Sequence, residues 1–246
     1  MQEKRPEKKS QFAKALMELR WLILNGEFKA SGRLPETALA ERLGISRTPL
    51  RQAMDRLVDE GLLERQETGR CNIASFSMDD ICDAIEIRGA LEGTAARLAA
   101  ERGPDPVLAN ECRRVIDGLD EAVFGSTEID FSQYVRLNAQ FHDLVSSLSG
   151  SRLVEREVQK ASRLPLASPS AFLQGQELVP DFRESLKNAQ MQHKAIFEAI
   201  VNHEGARAEA LAREHARLAR QNLNYVMNDK TGLAERVPGM ALVSAS

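Results

Sequence analysis

Apolar residues in the first sixty positions recur at helical spacing in three short blocks, each closed by a glycine. In "FAKALMELRWLILNGEF" the residues Phe12, Leu16, Leu19 and Ile23 fall on one face, and Gly26 ends the pattern. After the turn "KASGRLP" a second block runs from Glu36 to Leu43 and stops at Gly44. In the third, Leu50, Met54, Leu57 and Val58 form the apolar face behind Ser46, which stands where an N-cap belongs, and Gly61 closes it. The period then switches: Leu63 and Arg65, then Cys71 and Ile73, flank a polar stretch containing Gly69, the pattern of a short β-hairpin. Three short helices with a tight glycine turn between the second and third, followed by a hairpin, predict a winged helix-turn-helix domain over residues 1–75.

Ser77 with Asp80 reads as a capping pair, and from there to Met227 the pattern is helical almost throughout. The helices are expected near 79–102, 105–124, 128–149, 151–164, 182–203 and 205–228. One substantial loop, "PLASPSAFLQGQELVP" at 165–180, carries three prolines. The fold class expected is therefore mainly α, with an N-terminal winged helix-turn-helix, its small β-hairpin wing, and a C-terminal all-α helical bundle over 76–230. Residues 231–246 lose the helical pattern and are expected to form a flexible tail.

Composition narrows the function classes. Aromatics are only 5% of the 246 residues, while Ala, Leu, Glu and Arg dominate, which favours helix over sheet. No apolar run approaches the roughly 18–20 residues of a membrane helix, so a cytoplasmic protein without a membrane partner is expected. Cys71, Cys82 and Cys112 are odd in number and lack CxxC spacing, which argues against a disulfide framework or a thiolate metal site. The formal charge of −3 hides an asymmetry: residues 1–75 hold 14 Lys/Arg against 11 Asp/Glu, and the remainder 19 against 25. That excess permits a nucleic-acid partner, although a solvated surface would also carry it.

The stretch "GISRTPLRQAMDRLVDEGLLER" at 44–65 sharpens the expectation. A recognition helix reads bases with its first turn, the end that enters the major groove. Here that turn offers Ser46, Arg47, Thr48 and Arg51. Arginine can give two parallel hydrogen bonds to guanine O6 and N7, which discriminates by about 1–3 kcal/mol. Hydroxyls and helix-start N–H groups suit phosphate oxygens, and Pro49 is tolerated early in a helix because its missing N–H would have had no intrahelical partner. Arg33, before the second helix, and the wing residues Thr68, Gly69 and Arg70 are candidates for backbone or minor-groove contacts. Alone, Arg47 and Arg51 would fit a solvated face paired with Glu41 or Asp55; the helix turn and the wing tip the reading toward double-stranded DNA.

"GRLPETALAERLGISRTPLRQAMDRLVDEGLLER…GR" resembles the winged-helix domain of GntR-type bacterial transcription regulators, over about residues 12–75. "IEIRGALEGTAARLAAE" resembles the opening helix of the all-helical FCD ligand-binding domain of the FadR-like branch, more narrowly its VanR-like members, which extends the resemblance to about residue 228. The resemblance implies a homodimer on a palindromic operator and a small metabolite effector, with repression relieved by that effector as the commoner arrangement.

Three of the four histidines stand in apolar helical patterns: His142 in "NAQFHDLV", His193 in "MQHKAIFEAI" and His215 in "AREHARLA". Asn138 and His142 lie one helical turn apart and share a face, to which two later helices of a bundle can bring His193 and His215. Three imidazoles and an oxygen suit Zn²⁺, or Ni²⁺ or Mn²⁺, while each histidine alone is as well read as a hydrogen-bonded core imidazole. The resemblance implies a metal held by an aspartate and three histidines arranged as D…FH, H and H, which Phe141–His142, His193 and His215 match. Asn138 stands where that aspartate is usual, so less negative charge reaches the metal, and an anionic, carboxylate-bearing effector is expected to complete the shell.

The resemblance also places Arg88 at or near the effector pocket, although Glu92 one turn on makes an intrahelical ion pair the simpler reading. Asn222, two turns beyond His215, is a second effector candidate, with a surface amide as the alternative. Phe141, Leu144, Phe197 and Ile200 read as core, and His203 as solvent-exposed. The leading reading is a ligand-responsive transcription regulator without enzymatic activity. A winged helix used for protein contact and a histidine-metal hydrolase are the rivals; against the hydrolase, no HExxH-like spacing ties a base to the histidines.

Overall fold

A computed structural model describes residues 5–125, 129–164, 166–171, 180–228 and 232–244, and the chain divides into two compact units. The first holds residues 1–81 together with 164–166 and 238–246; the second holds 82–163 and 167–237. Part of the proline-rich loop, at 165 and 172–179, and part of the expected tail, at 231 and 245–246, lie outside the described residues.

In the first unit, α1 (Arg5–Leu24), α2 (Glu36–Leu43) and α3 (Arg47–Asp59) precede β1 (Leu63–Arg65) and β2 (Cys71–Ile73). The strands pair antiparallel with Leu63 opposite Ile73 and Arg65 opposite Cys71, the hairpin expected from the sequence. Helix α1 reaches back to Arg5, well before the first periodic apolar residue. The turn between α2 and α3 is set by Gly44 at φ +63°, whose left-handed backbone lets the Ile45 N–H reach the Ala40 carbonyl at 3.0 Å. Ile45 then drops into the core with Leu19, Leu39, Leu50, Met54, Leu57 and Ile73. Glu60, buried at the end of α3, accepts hydrogen bonds from Arg20 of α1 and from Arg56, which clips the first helix to the third.

Helix α4 (Met78–Arg102) opens on the expected capping pair: the Asp80 N–H donates to Ser77 Oγ at 3.1 Å, and the Ser77 N–H donates to Asp80 Oδ2 at 2.8 Å. The bundle follows with α5 (Pro106–Phe124), α6 (Phe131–Leu148), α7 (Arg152–Ala161), α8 (Pro180–Val201) and α9 (Gly205–Asn228). Asp105 caps α5 by accepting from the Val107 and Leu108 N–H groups, with Pro106 at the first helical position. Phe141, Leu144, Phe197 and Ile200 are buried in the bundle core, as their spacing indicates. No helix among the described residues is long and apolar enough to cross a membrane.

One expectation is corrected. The segment after α9 forms two 3₁₀ turns, Leu233–Arg236 and Met240–Leu242, and its last part packs into the first unit instead of fraying. Its anchor, Leu242, is fully buried, an apolar gain that a solvated tail would forgo.

Candidate functional site

Two sets of polar side chains stand apart from the packing just described. The first is the start of α3. Ser46 occupies the N-cap position with extended backbone, yet its side chain makes no capping hydrogen bond, so the first N–H groups of the helix have no side-chain partner there. Ser46, Arg47 and Thr48 are exposed beside it. Pro49 is buried, so it shapes the helix start and offers no surface to a ligand. Arg51 is exposed and its Nε donates to Glu36 Oε2 at 2.9 Å, a partner other than the Glu41 or Asp55 suggested by spacing; both terminal nitrogens of the guanidinium remain outside that bond.

The wing lies in the same unit. Gly69 at its tip has φ +78° with no atom within 4 Å of where a Cβ would stand, so backbone conformation and not crowding calls for glycine. Arg70 and Thr68 are exposed; Arg33 is exposed too, and its backbone bridges to Asn72 of β2. Arg65 was legible only as a strand residue. It donates from Nη1 to the Gly69 carbonyl at 3.0 Å and pairs through Nη2 with Asp55 of α3, which ties the wing tip to the recognition helix.

The second set lies within the bundle, where the Nε2 atoms of three histidines converge. His193 Nε2 is 3.0 Å from His215 Nε2, which is 3.4 Å from His142 Nε2. Each Nδ1 has its own acceptor: Glu92 Oε1 at 3.1 Å for His142, Gln190 Oε1 at 3.1 Å for His193, and Gln192 Oε1 at 3.0 Å for His215. Gln190 is oriented unambiguously, because its Nε2 donates to the Ile116 carbonyl and to Asp120 Oδ1. The hydrogen-bond network therefore assigns the ring proton to Nδ1 and leaves Nε2 lone pairs facing one another. Lone pairs this close repel unless a cation lies among them.

Burial makes a proton a poor candidate for that cation. It pushes His193 well below its ordinary 6.5, aided by repulsion from His215 and His142, and holds His215 at about 3, with repulsion from His142 in the same direction. Burial would raise the Glu92 carboxyl, but the Arg88 guanidinium and His142 more than offset it and hold Glu92 at about 2. All three depressed values mean that the unfolded chain binds protons that the folded chain refuses. Stability of the metal-free protein should thus be level above pH 6.5, then fall as pH drops toward 3 through His193 and His215, with Glu92 adding to the loss below 4.5. Urea unfolding midpoints measured from pH 7.5 to 4 check this; a flat profile would refute it, and His215→Gln should shallow the slope.

A close helix crossing holds these groups together. A Cβ at Gly89 would meet the Ala216 Cβ at 2.8 Å, and one at Gly93 would meet Arg213 Cγ at 2.8 Å. Glycine on α4 lets α9, the helix of His215, come close to the turn that carries Arg88 and Glu92. Arg88 is only 2% exposed; it pairs with Glu92 at 3.2 Å and also reaches the Ala216 carbonyl at 3.4 Å, while its Nε has no partner among the described residues. The intrahelical ion pair expected for Arg88 is present, and the same side chain lines a cavity. A cavity of about 40 Å³ is lined by Arg88, Tyr134, Asn138, His142, Ser185, His215 and Asn222, among others.

Asn138 is buried on that wall, and its amide nitrogen donates to Ser170 Oγ at 3.2 Å and toward the Pro169 carbonyl. Asn222 is half-buried and accepts from Ser185 Oγ at 3.1 Å, so it is a pocket residue and not a surface amide. His203 is exposed, with its Nδ1 2.9 Å from the Ala100 carbonyl. Glu92, Gln190, Gln192, Tyr134 and Ser185 were missed as site residues. Two of them left a signal: Gln190 and Gln192 both precede His193 within one helical turn.

A recognition-helix start and wing in one unit, with a buried polar pocket in a separate helical unit, define a DNA-binding transcription regulator. The profile described as "Bacterial regulatory proteins, gntR family" matches residues 13–73, and that of the FCD domain matches residues 83–218. The chain belongs to the GntR family of bacterial transcription regulators and carries the FCD domain. It is 28% identical over 214 residues to the uncharacterized HTH-type transcriptional regulator YdhC of Bacillus subtilis, covering 86% of this chain and 90% of that one. It is 26% identical over 223 residues to the Glc operon transcriptional activator of Escherichia coli K12, covering 83% and 85% of the two chains. Among solved structures, E. coli McbR/YncC shares the fold with a TM-score of 0.59 at 20% identity, covering 88% of this chain and 97% of that one. The family and the two curated relatives are named as transcription regulators, which sets the hydrolase reading aside.

Proposed function

We propose that this regulator is a homodimer that binds a palindromic operator and responds to a small carboxylate metabolite at a metal centre in its bundle. The observation that carries the metal is the convergence of three Nε2 lone pairs, with every Nδ1 engaged elsewhere. His142, His193 and His215 would hold the ion, with Asn138 on the same cavity wall; the donor set fits Zn²⁺ best and Ni²⁺ or Mn²⁺ next. When bound, the ion supplies a positive centre with open positions that an anionic ligand can complete. Glu92 accepts the hydrogen bond from His142 Nδ1 and orients that ring, and Gln190 and Gln192 hold the other two rings in register. The unpartnered Arg88 Nε beside the cavity supports recognition of a carboxylate, and Asn222 with Ser185 would bind polar groups at the other end of the effector.

On the DNA side, Arg51 would read base edges in the major groove and Arg47 would grip phosphate beside it. Ser46, Thr48 and the first N–H groups of α3 would take phosphate, while Arg33, Gly69 and Arg70 would follow the backbone or minor groove. Two-fold protein symmetry then demands a two-fold operator. The effector can change operator affinity only by binding the operator-competent and operator-incompetent states differently. We read the output as repression relieved by the effector.

The test is a shift assay on the protein's own promoter against random duplex, with salt varied. Specific binding should weaken steeply with salt, because each neutralised phosphate releases a counterion, contributing about −0.9 to the log–log slope. Equal binding to both duplexes at physiological salt would favour a winged helix used for protein contact. Anomalous diffraction at a transition-metal edge on the same preparation reads the occupant of the histidine centre.

A further inference from the structure

We propose that residues 238–244, "PGMALVS", are a strap that docks in an apolar groove of the DNA-binding domain and is needed for full operator affinity. The segment carries no charge, and its end is held on both sides of one residue. The Phe76 N–H donates to the Leu242 carbonyl at 2.9 Å, and the Ser244 N–H donates to the Phe76 carbonyl at 2.9 Å, a parallel bridge between Phe76 and Val243. Beside those bonds Leu242 is fully buried among the apolar side chains that α1, α3 and the hairpin supply.

The other end of the strap closes α1. The Gly239 N–H donates to the Leu24 carbonyl at 2.8 Å, one of the carbonyls a helix terminus leaves without an intrahelical donor. Gly239 has φ +91°, and a Cβ there would stand 3.5 Å from Leu24 and 3.4 Å from Leu166. Across the turn, a Cβ on Gly26 would come within 2.9 Å of the Ala241 Cβ. Gly26 thus ends α1 and also leaves room for the strap. The same α1 is clipped to α3 by Arg20 and Glu60, and Phe76 stands three residues beyond the end of the wing strand β2. The strap therefore fastens both supports of the DNA-reading surface, and a surface held loosely loses affinity to the ordering it must undergo on binding.

Covalent order gives the device a further property. The strap follows α9, the helix that carries His215 and Asn222, so the reader domain is completed by a segment that leaves a helix of the histidine centre.

The test uses full-length protein, Leu242→Asp, Leu242→Met and a chain ending at Val237, with DNA selected by the wild type from a random duplex pool. Hydrogen exchange should show protection at α1 and β2 falling at least ~10-fold in Leu242→Asp and the shortened chain, with α5 and α6 unchanged. Affinity for the selected duplex should fall at least ~10-fold in parallel. Leu242→Met should retain both, and a synthetic peptide of residues 232–246 added to the shortened chain should restore both. Unchanged protection would show that the segment does not dock. Lost protection with DNA affinity within about twofold of wild type would show that docking serves stability alone. Either result overturns the proposal.

Discussion

Replacing Arg51 with alanine is expected to abolish preference for the operator while leaving the protein folded and its non-specific DNA binding nearly intact. The bond from Nε to Glu36 steers the side chain from α2, and both terminal nitrogens stay outside it, the fork that guanine O6 and N7 require. A bidentate pair discriminates by about 1–3 kcal/mol per half-site, so a two-half-site operator should lose about 2–6 kcal/mol, or roughly 30-fold to 10⁴-fold in affinity. Because a base contact displaces no phosphate counterion, the salt dependence should not change. Arg47→Ala is the contrast: as a phosphate contact it should weaken all sequences alike and lower the salt slope by about 1 per half-site. Titrating both variants against operator and random duplex at several salt concentrations separates the two roles. If Arg51→Ala kept its preference for the operator, the recognition turn would be misassigned. Folding should be untouched, since the Arg51–Glu36 pair is surface-exposed and such pairs contribute little.

The second large effect is expected at the histidine centre. His193→Ala removes the most deeply buried of the three imidazoles, and metal affinity should fall by more than ~100-fold, beyond the 10- to 100-fold typical of losing an outer partner. Elemental analysis after dialysis should drop from about one transition-metal ion per chain to near zero, and calorimetric titration with Zn²⁺ should confirm it. Gln190→Leu should give a smaller loss through the His193 ring orientation, because the acceptor at Nδ1 is gone while all three Nε2 donors remain. Asn138→Asp tests the opposite direction. A carboxylate on the same cavity wall adds negative charge toward the ion and should tighten binding. Metal content unaffected by His193→Ala would mean that the three imidazoles are a hydrogen-bonded core cluster and that the effector binds without a metal.

Much of this was legible because it is local. A helix of period 3.6, a glycine stop, a capping pair such as Ser77–Asp80 and the alternation around Gly69 are each written within a few residues, and the hairpin Leu63–Arg65 with Cys71–Ile73 appeared where the pattern placed it. The exposed arginines at the start of α3 belong to the same class, since Ser46 and the apolar face of the helix settle which end points outward.

Tertiary structure decided whatever depends on registry between distant segments. That His142, His193 and His215 share one centre requires three helices to be rotated and shifted into a single arrangement, which spacing along any one of them cannot dictate. Glu92 looked like a partner for Arg88 alone, four residues away; only the packing of α6 beside α4 gives it His142 as well, just as the close α4–α9 approach at Gly89 and Gly93 gives Arg88 the Ala216 carbonyl. The tail misled for the same reason. A short uncharged segment has no period of its own, and the groove that buries Leu242 is built by residues more than 150 positions earlier in the chain. Local free-energy preferences are additive along the chain and can be read from it, whereas burial and polar pairing arise only when separate elements meet, so they become visible only once the fold has brought those elements together.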